Sequence, residues 1–382
     1  TRISYLIEKH PQIASNSEIL EMLIWYALKG KADENQISDA QHTDRETITI
    51  ETLLQKSGTI YMRGINGERG QAWETLGTIL WKVPEAEPRV WETIDIALEK
   101  ESRISVRCCI MKPLLPLFNM NKERFSESIR KLIILPEGVA QQSDASRLSP
   151  LITSAGIQLF PYIFNWLPEL GSELAQLLLE SGDETTELMG AWLIFCASFS
   201  HGTHIQKADE LEALSVNHRR LLADVASQAI NWAENRNRAE KLLKRFFFDE
   251  DEQIRQKAAD AFRHIKADEV EKYRELTVIF LKSPAFMENS ASVMHMLKSA
   301  TGDVLELIVE AAQQLIRNIV DRGDECGSHA ADAHYLQDLL KREYTASESK
   351  PEARKIILDL IDLMLKNEIY GVEGIVAAHE RW

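Results

Sequence analysis

Four groups of residues in this chain have types and spacings that could carry chemistry. Gly64, Gly67 and Gly70 stand at even intervals of three in RGINGERGQAW, ahead of an apolar run. Glycines so placed let a backbone approach a phosphate and aim helix amides at it. Cys326, His329 and His334, with Asp324 and Asp332, form the densest set of metal-ligand types, in DECGSHAADAH. His201 and His204, in HGTH, supply a further pair of imidazoles. Asp249 to Glu252, DEDE, supply a run of carboxylates that could hold a cation.

Each group has a plainer reading. A phosphate loop of the G-x-x-x-x-G-K-[ST] kind puts lysine and a hydroxyl directly after its last glycine. Here Gly64 to Gly70 is one residue too long, and Gln71 and Ala72 follow. For a G-x-G-x-x-G dinucleotide fingerprint the first spacing is also wrong. The expectation is a turn at Asn66-Gly67 feeding a helix in which Gly70 and Ala72 permit close packing. TLLQKSGTIYM, from Thr52, leaves room for a short extended piece just before it. The C-x2-H-x4-H spacing of Cys326, His329 and His334 lacks a second cysteine pair. On a helix the two histidines would lie about 140° apart, an awkward angle for sharing one ion. HGTH has no third ligand nearby. DEDE is expected at a helix start, where carboxylates stabilise the positive dipole end without any ion. Neither G-x-S-x-G nor H-E-x-x-H occurs. The expectation is no catalytic residue, no cofactor and no bound metal, with Cys326, His329 and His334 as the metal candidates.

The elements that must position these residues read as helices from end to end. EILEMLIWYALK, from Glu18, places Ile19, Leu23, Tyr26 and Ala27 on one face. The same period runs through QAWETLGTILW, VWETIDIALEK, ELAQLLLE, LLADVASQAINW, VLELIVEAAQQLIRNIV and KIILDLIDLML, with short breakers between them such as VPEAEP, LPEG, SGDE and KSPAF. No alternating strand pattern stands out.

The pattern also repeats. Glu101 is followed by Val106 and Arg107, and Asp249 by Ile254 and Arg255, each at the same offsets. Asp183 and Leu188 fit the frame with Met189 in the arginine place, and Arg69 with Ala72 fits it more loosely. Arg69, Arg107 and Met189 lie 38 and 82 residues apart, near one and two repeats of about 40 residues. In such a frame the acidic residue favours the helix amides. An arginine one turn in can reach the acid of its own or the neighbouring repeat as a half-exposed ion pair. The fold predicted is all-α, a right-handed α-solenoid of HEAT-like helix pairs: a single array over 1–382, irregular over 1–62 and repeating over 63–382.

Composition sets the remaining limits. The chain has 382 residues with 44 basic against 59 acidic, a net charge of −15. That surface disfavours broad nucleic-acid binding. The apolar stretches are too short to span a bilayer, and no secretory signal opens the chain. The four cysteines sit mostly in apolar helical runs, as in reduced cytoplasmic proteins. The eight tryptophans stand mostly at core-type positions, with one or two free to anchor a partner.

INGERGQAWETLGTILW from Ile65, ISVRCCIMKPLLPLFN from Ile104, FFFDEDEQIRQKAADAFRHI from Phe246, FLKSPAF from Phe280 and LDLIDLMLKNEIYGVEG from Leu358 together resemble the C-terminal helical-repeat region of large bacterial STAND-like antiviral NTPases. The resemblance runs from about Ile65 to the end. It implies a C-terminal sensor piece of a longer protein, working in the cytoplasm by binding a protein partner: a phage protein or the NTPase module of its own parent. ATP hydrolysis does not carry over, because the NTPase motifs are not in this sequence, and no functional residue is transferable. The alternatives are a stand-alone metalloprotein or enzyme using the Cys326–His334 region, and a structural scaffold of a complex.

Overall fold

The structure, a computed structural model, describes residues 9–10, 13, 15–32, 50–136, 147–232, 235–322 and 329–367. Among the described residues every regular element is helical and no strand occurs, so the chain is all-α. It divides into two compact units, Thr1–Ala197 and Ser198–Trp382. The first holds α1 (Ser17–Lys29), α2 (Ile50–Asn66), α3 (Glu68–Lys82), α4 (Glu87–Lys100), α5 (Ile104–Leu117), α6 (Lys122–Leu132), α7 (Ser154–Trp166) and α8 (Pro168–Leu179). Helix α9 (Glu184–Ser200) carries the chain into the second unit. There follow α10 (Ile205–Glu212), α11 (Val216–Ala229), α12 (Arg236–Phe246), α13 (Glu252–Ala259), α14 (Ala261–His264), α15 (Arg274–Leu281), α16 (Pro284–Glu288), α17 (Ser290–Ser299), α18 (Leu305–Arg322), α19 (His329–Ala346) and α20 (Pro351–Lys366).

Within each unit a helix packs on one further along as well as on its neighbour. In the first, α3 lies against α1 and α5, and α4 against α1 and α6. In the second, α11 packs on α13 and α13 on α16, while α12 packs on α15, α15 on α18 and α18 on α20. Such skipping contacts let a helix bury its apolar stripe against more than one other helix.

The glycine stretch is a packing device. Residues from Thr52 onward, where the sequence left room for an extended piece, are helical throughout as part of α2; local preference yields to the amphipathic face that α2 buries against α5. Gly67 is the one non-helical residue between α2 and α3. A Cβ on Gly64 would meet the Ser105 carbonyl oxygen at 2.1 Å and Cys109 Sγ at 2.6 Å, and one on Gly70 would meet the Gly64 carbonyl oxygen at 2.0 Å. Backbone touches backbone here, and only hydrogen fits.

The acid–apolar–arginine frame has one geometry at Glu101 and Asp249. The Glu101 carboxylate accepts the Arg103 amide at 3.0 Å, and the Asp249 carboxylate accepts the Asp251 amide at 2.9 Å. Val106 and Ile254 are buried. Of the arginines, Arg107 departs from the expected ion pair, whereas Arg69 and Arg255 each reach an acid of a neighbouring helix pair. Arg107 is fully buried, and its guanidinium donates to the carbonyls of Leu98, Glu101, Lys131, Leu132 and Ile134, closing the ends of α4 and α6. Burial pushes Arg107 down to about 10, still far above neutrality. Arg255 pairs with Glu288, of the following helix pair, at 2.9 Å through Nε. Arg69 reaches forward to the Glu101 carboxylate at 2.8 Å and back to the Gly30 carbonyl at 2.8 Å. At the third site, Asp183 caps α9 through the Thr186 amide at 2.9 Å, and the apolar Met189 is buried in the arginine's place.

The tryptophans depart from the expected core. Trp73 and Trp91 are fully buried, whereas Trp25, Trp81 and Trp166 are more than half exposed. A helical stripe position is buried only where another helix covers it. Trp166 instead lies under the Lys122 ammonium, 4.1 Å from its ring centroid.

Candidate functional site, a groove between three helices

Within the second unit, α10, α11 and α12 bound a groove of about 1170 Å³. Its shape starts from the backbone after α9. Gly202 and His204 adopt left-handed conformations, with φ of 63° and 59°, and turn the chain sharply into α10. Histidine tolerates this region better than a β-branched residue. Ser215 then ends the short link to α11, its hydroxyl accepting the His218 amide at 3.3 Å as an N-cap.

Helix α12, RNRAEKLLKRF, has five cations and one carboxylate in eleven residues. Ala239, Leu242, Leu243 and Phe246 are buried in the unit. That stripe leaves Arg238, Lys241 and Arg245, spaced i, i+3 and i+7, along one face lining the groove. Helix α10 presents Ile205, Asp209 and Glu212 at i, i+4 and i+7 to the same groove. Two ion pairs tie the walls together: Arg238 to Asp209 at 3.0 Å, and Arg245 to Glu212. Arg238 also donates to Ser198 Oγ at 2.7 Å and stacks over the Phe199 ring at 4.8 Å, which fixes its guanidinium.

Two cations keep donors open. Lys241 is exposed and has no carboxylate partner among the described residues. Arg219, from α11, approaches Asp249 only at 3.8 Å, and its Nε is a buried donor without an acceptor. The lining thus carries four cations against two carboxylates, in a chain whose net charge is −15. Ile205, Ala213, Val216 and Leu242 supply apolar surface beside them. Fixed charges and apolar contact suit binding.

The residues singled out in the sequence lie elsewhere. Gly64, Gly67 and Gly70 serve helix packing in the first unit. Asp249 and Asp251 of DEDE are held by Arg219 and Arg220, and Asp251 caps α13 through the Ile254 amide at 3.0 Å. Arg220 beside it holds the Asp251 carboxyl below the usual aspartate value. His201 and His204 sit in the turn before α10, where burial pushes His204 down, toward its neutral form. Cys326 lies outside the described residues. His329 opens α19, and His334, on the same helix, is exposed. No cluster of three metal-ligand side chains occurs among the described residues. Sequence reading missed the groove because its residues come from three helices. The signal that could have found it is the basic i, i+3, i+7 face of α12.

No family model, curated protein or solved structure was found to match the chain. Among the described residues no helix is long and apolar enough to cross a membrane.

Proposed function

We propose that this chain is a protein-binding helical-repeat module that engages its partner through the groove of α10, α11 and α12. The observation that carries the reading is the groove itself: wide, and lined by paired and unpaired fixed charges beside apolar side chains. Its volume of about 1170 Å³ lies above the roughly 300–1,000 Å³ of ordinary small-ligand sites. Exposed Trp25, Trp81 and Trp166 offer further anchors of the kind enriched in protein interfaces.

The skipping helix contacts and the recurrent arginine frame support a right-handed solenoid of HEAT-like pairs, an architecture that offers extended binding surfaces without a catalytic pocket. With the resemblance to the repeat region of STAND-like antiviral NTPases, the role that follows is target recognition in bacterial defence, inside the cytoplasm. The partner is then a phage protein or the parent's own NTPase module. Candidate phage structural and replication proteins, passed over the immobilised chain, test this beside nucleotide-turnover and metal assays. Retention of a defined protein, lost on Lys241→Glu, is the expected result. Turnover by the chain, or stoichiometric zinc tied to Cys326, His329 and His334, would replace this reading with the metalloprotein one.

A further inference from the structure

We infer that the segment this groove takes is an acidic stretch of protein bearing a bulky apolar side chain, seated between Lys241 and Arg219. The inference rests on the protein-binding reading above and adds the chemistry of the partner. Charge is its first ground. Elsewhere a chain of net charge −15 repels an acidic segment, while the groove lining carries an excess of cations. Complementarity of this local kind selects where a partner lands and speeds its arrival.

The second ground is which donors remain open. Arg238 is already engaged by Asp209 and Ser198, and Arg245 by Glu212, so these pairs shape the walls. Lys241 lies between Arg238 and Arg245 on the same face of α12 and has three ammonium donors for an incoming carboxylate. Across the groove, Arg219 makes no side-chain hydrogen bond among the described residues, and its Nε is shielded from water while lacking an acceptor. A buried donor left open is unfavourable, and a carboxylate drawing the guanidinium around would satisfy it.

The third ground separates protein from nucleic acid. Asp209 and Glu212 line the same groove, so a continuous phosphate backbone would run against two fixed carboxylates. A peptide can present its acids to Lys241 and Arg219 and an apolar residue to Ile205, Val216 and Leu242. Ile205 and Val216 are each more than a third exposed.

Fluorescence anisotropy with three labelled probes tests this on the full chain: a glutamate–leucine peptide, the matching lysine–leucine peptide, and a single-stranded oligonucleotide. The glutamate–leucine peptide is expected to bind at least about tenfold more tightly than either other probe, and to lose about tenfold on Lys241→Glu with Arg219→Gln. Circular dichroism confirms that the variant folds, and Lys241→Ala, at an exposed site, serves if the double variant does not. Equal binding of the acidic and basic peptides, or no loss in a folded variant, overturns the inference. A photo-crosslinker placed at exposed Leu214, in the link between α10 and α11, separates the two readings. Crosslinking to a protein segment without acids sinks the acidic assignment and leaves protein binding standing. Oligonucleotide binding in the groove sinks both.

Discussion

Glu101 and Arg107 are joined through a peptide oxygen: Arg107 Nη1 donates to the Glu101 carbonyl at 2.8 Å, and Arg255 makes the same bond to Asp249 at 2.7 Å. What differs is the rest of each guanidinium. Arg107 is buried against carbonyls alone, whereas Arg255 meets the Glu288 carboxylate and keeps some contact with water. Orphaned buried acceptors cost about 1–3 kcal/mol each, so Arg107→Ala is expected to lose roughly 3 kcal/mol or more, and Arg255→Ala roughly 1–2 kcal/mol. Ile254→Asp should exceed both, because it forces a charge into a fully buried site. Urea titration of the three variants reads the order. Coincident midpoints would show that burial does not set it.

The close approach of α2, α3 and α5 makes glycine substitutions diverge. Gly64→Ala drives a methyl into the Ser105 carbonyl and Cys109 Sγ, and a loss of roughly 2–4 kcal/mol is expected from forced backbone movement. Gly58→Ala, in α2 with nothing within 4 Å of its added carbon, should instead stabilise by about 0.5–1 kcal/mol through helix propensity. Thermal melts of the two variants moving in the same direction would contradict the packing described for Gly64.

Asp251 ties stability to acid. Its hydrogen bonds from Arg220, first, and then from the α13 amides hold its folded-state pKa below the ordinary 3.8. The unfolded chain therefore binds a proton more readily than the folded one as pH falls below 3.8. The contribution is fully present above that value and is lost as pH drops through the lower, folded pKa. Asp251→Asn should flatten this part of the acid limb in a pH series of urea midpoints. An unchanged slope would remove Asp251 from it.

Cys108 and Cys109 are buried free thiols, and desolvation pushes both well above the ordinary thiol range. Neither supplies thiolate at neutral pH. Alkylation of the native protein followed by peptide mapping should find both unmodified, with full reaction after unfolding. Rapid native labelling at Cys109 would mean that the α2–α5 contact opens readily.

Helical character was legible because the apolar period of α1, α3, α4 and α18 is long and uninterrupted. The glycine stretch was legible too, since the missing lysine and hydroxyl after Gly70 left packing as its use. The burial of Arg107 was not, because five carbonyl acceptors from two segments surround it and no local spacing announces them. Exposure of Trp25, Trp81 and Trp166 was hidden for a related reason: periodicity identifies a stripe, while cover depends on which helix lies opposite. The groove needed both kinds of knowledge. Arg238, Lys241 and Arg245 are regularly spaced in α12, but Arg219 and Ile205 join them only through tertiary structure.

Side chains in the second unit also stopper helix ends laid down well before them. Tyr273 Oη donates to the Ile230 carbonyl at 2.9 Å, 43 residues back, and Arg342 to the carbonyls of Leu297 and Lys298 at 2.9 and 2.8 Å, 45 and 44 residues back. On the ribosome these stoppers arrive late. Ile230 emerges with its carbonyl facing water and is sealed only when Tyr273 follows; the end of α17 waits in the same way for Arg342. Each of these two helix ends is therefore completed only by a residue much later in the chain. A nascent chain halted after Ala300 would carry a frayed last turn in α17, which pulse-labelled hydrogen exchange would register as fast amides there and protected ones around Ile230.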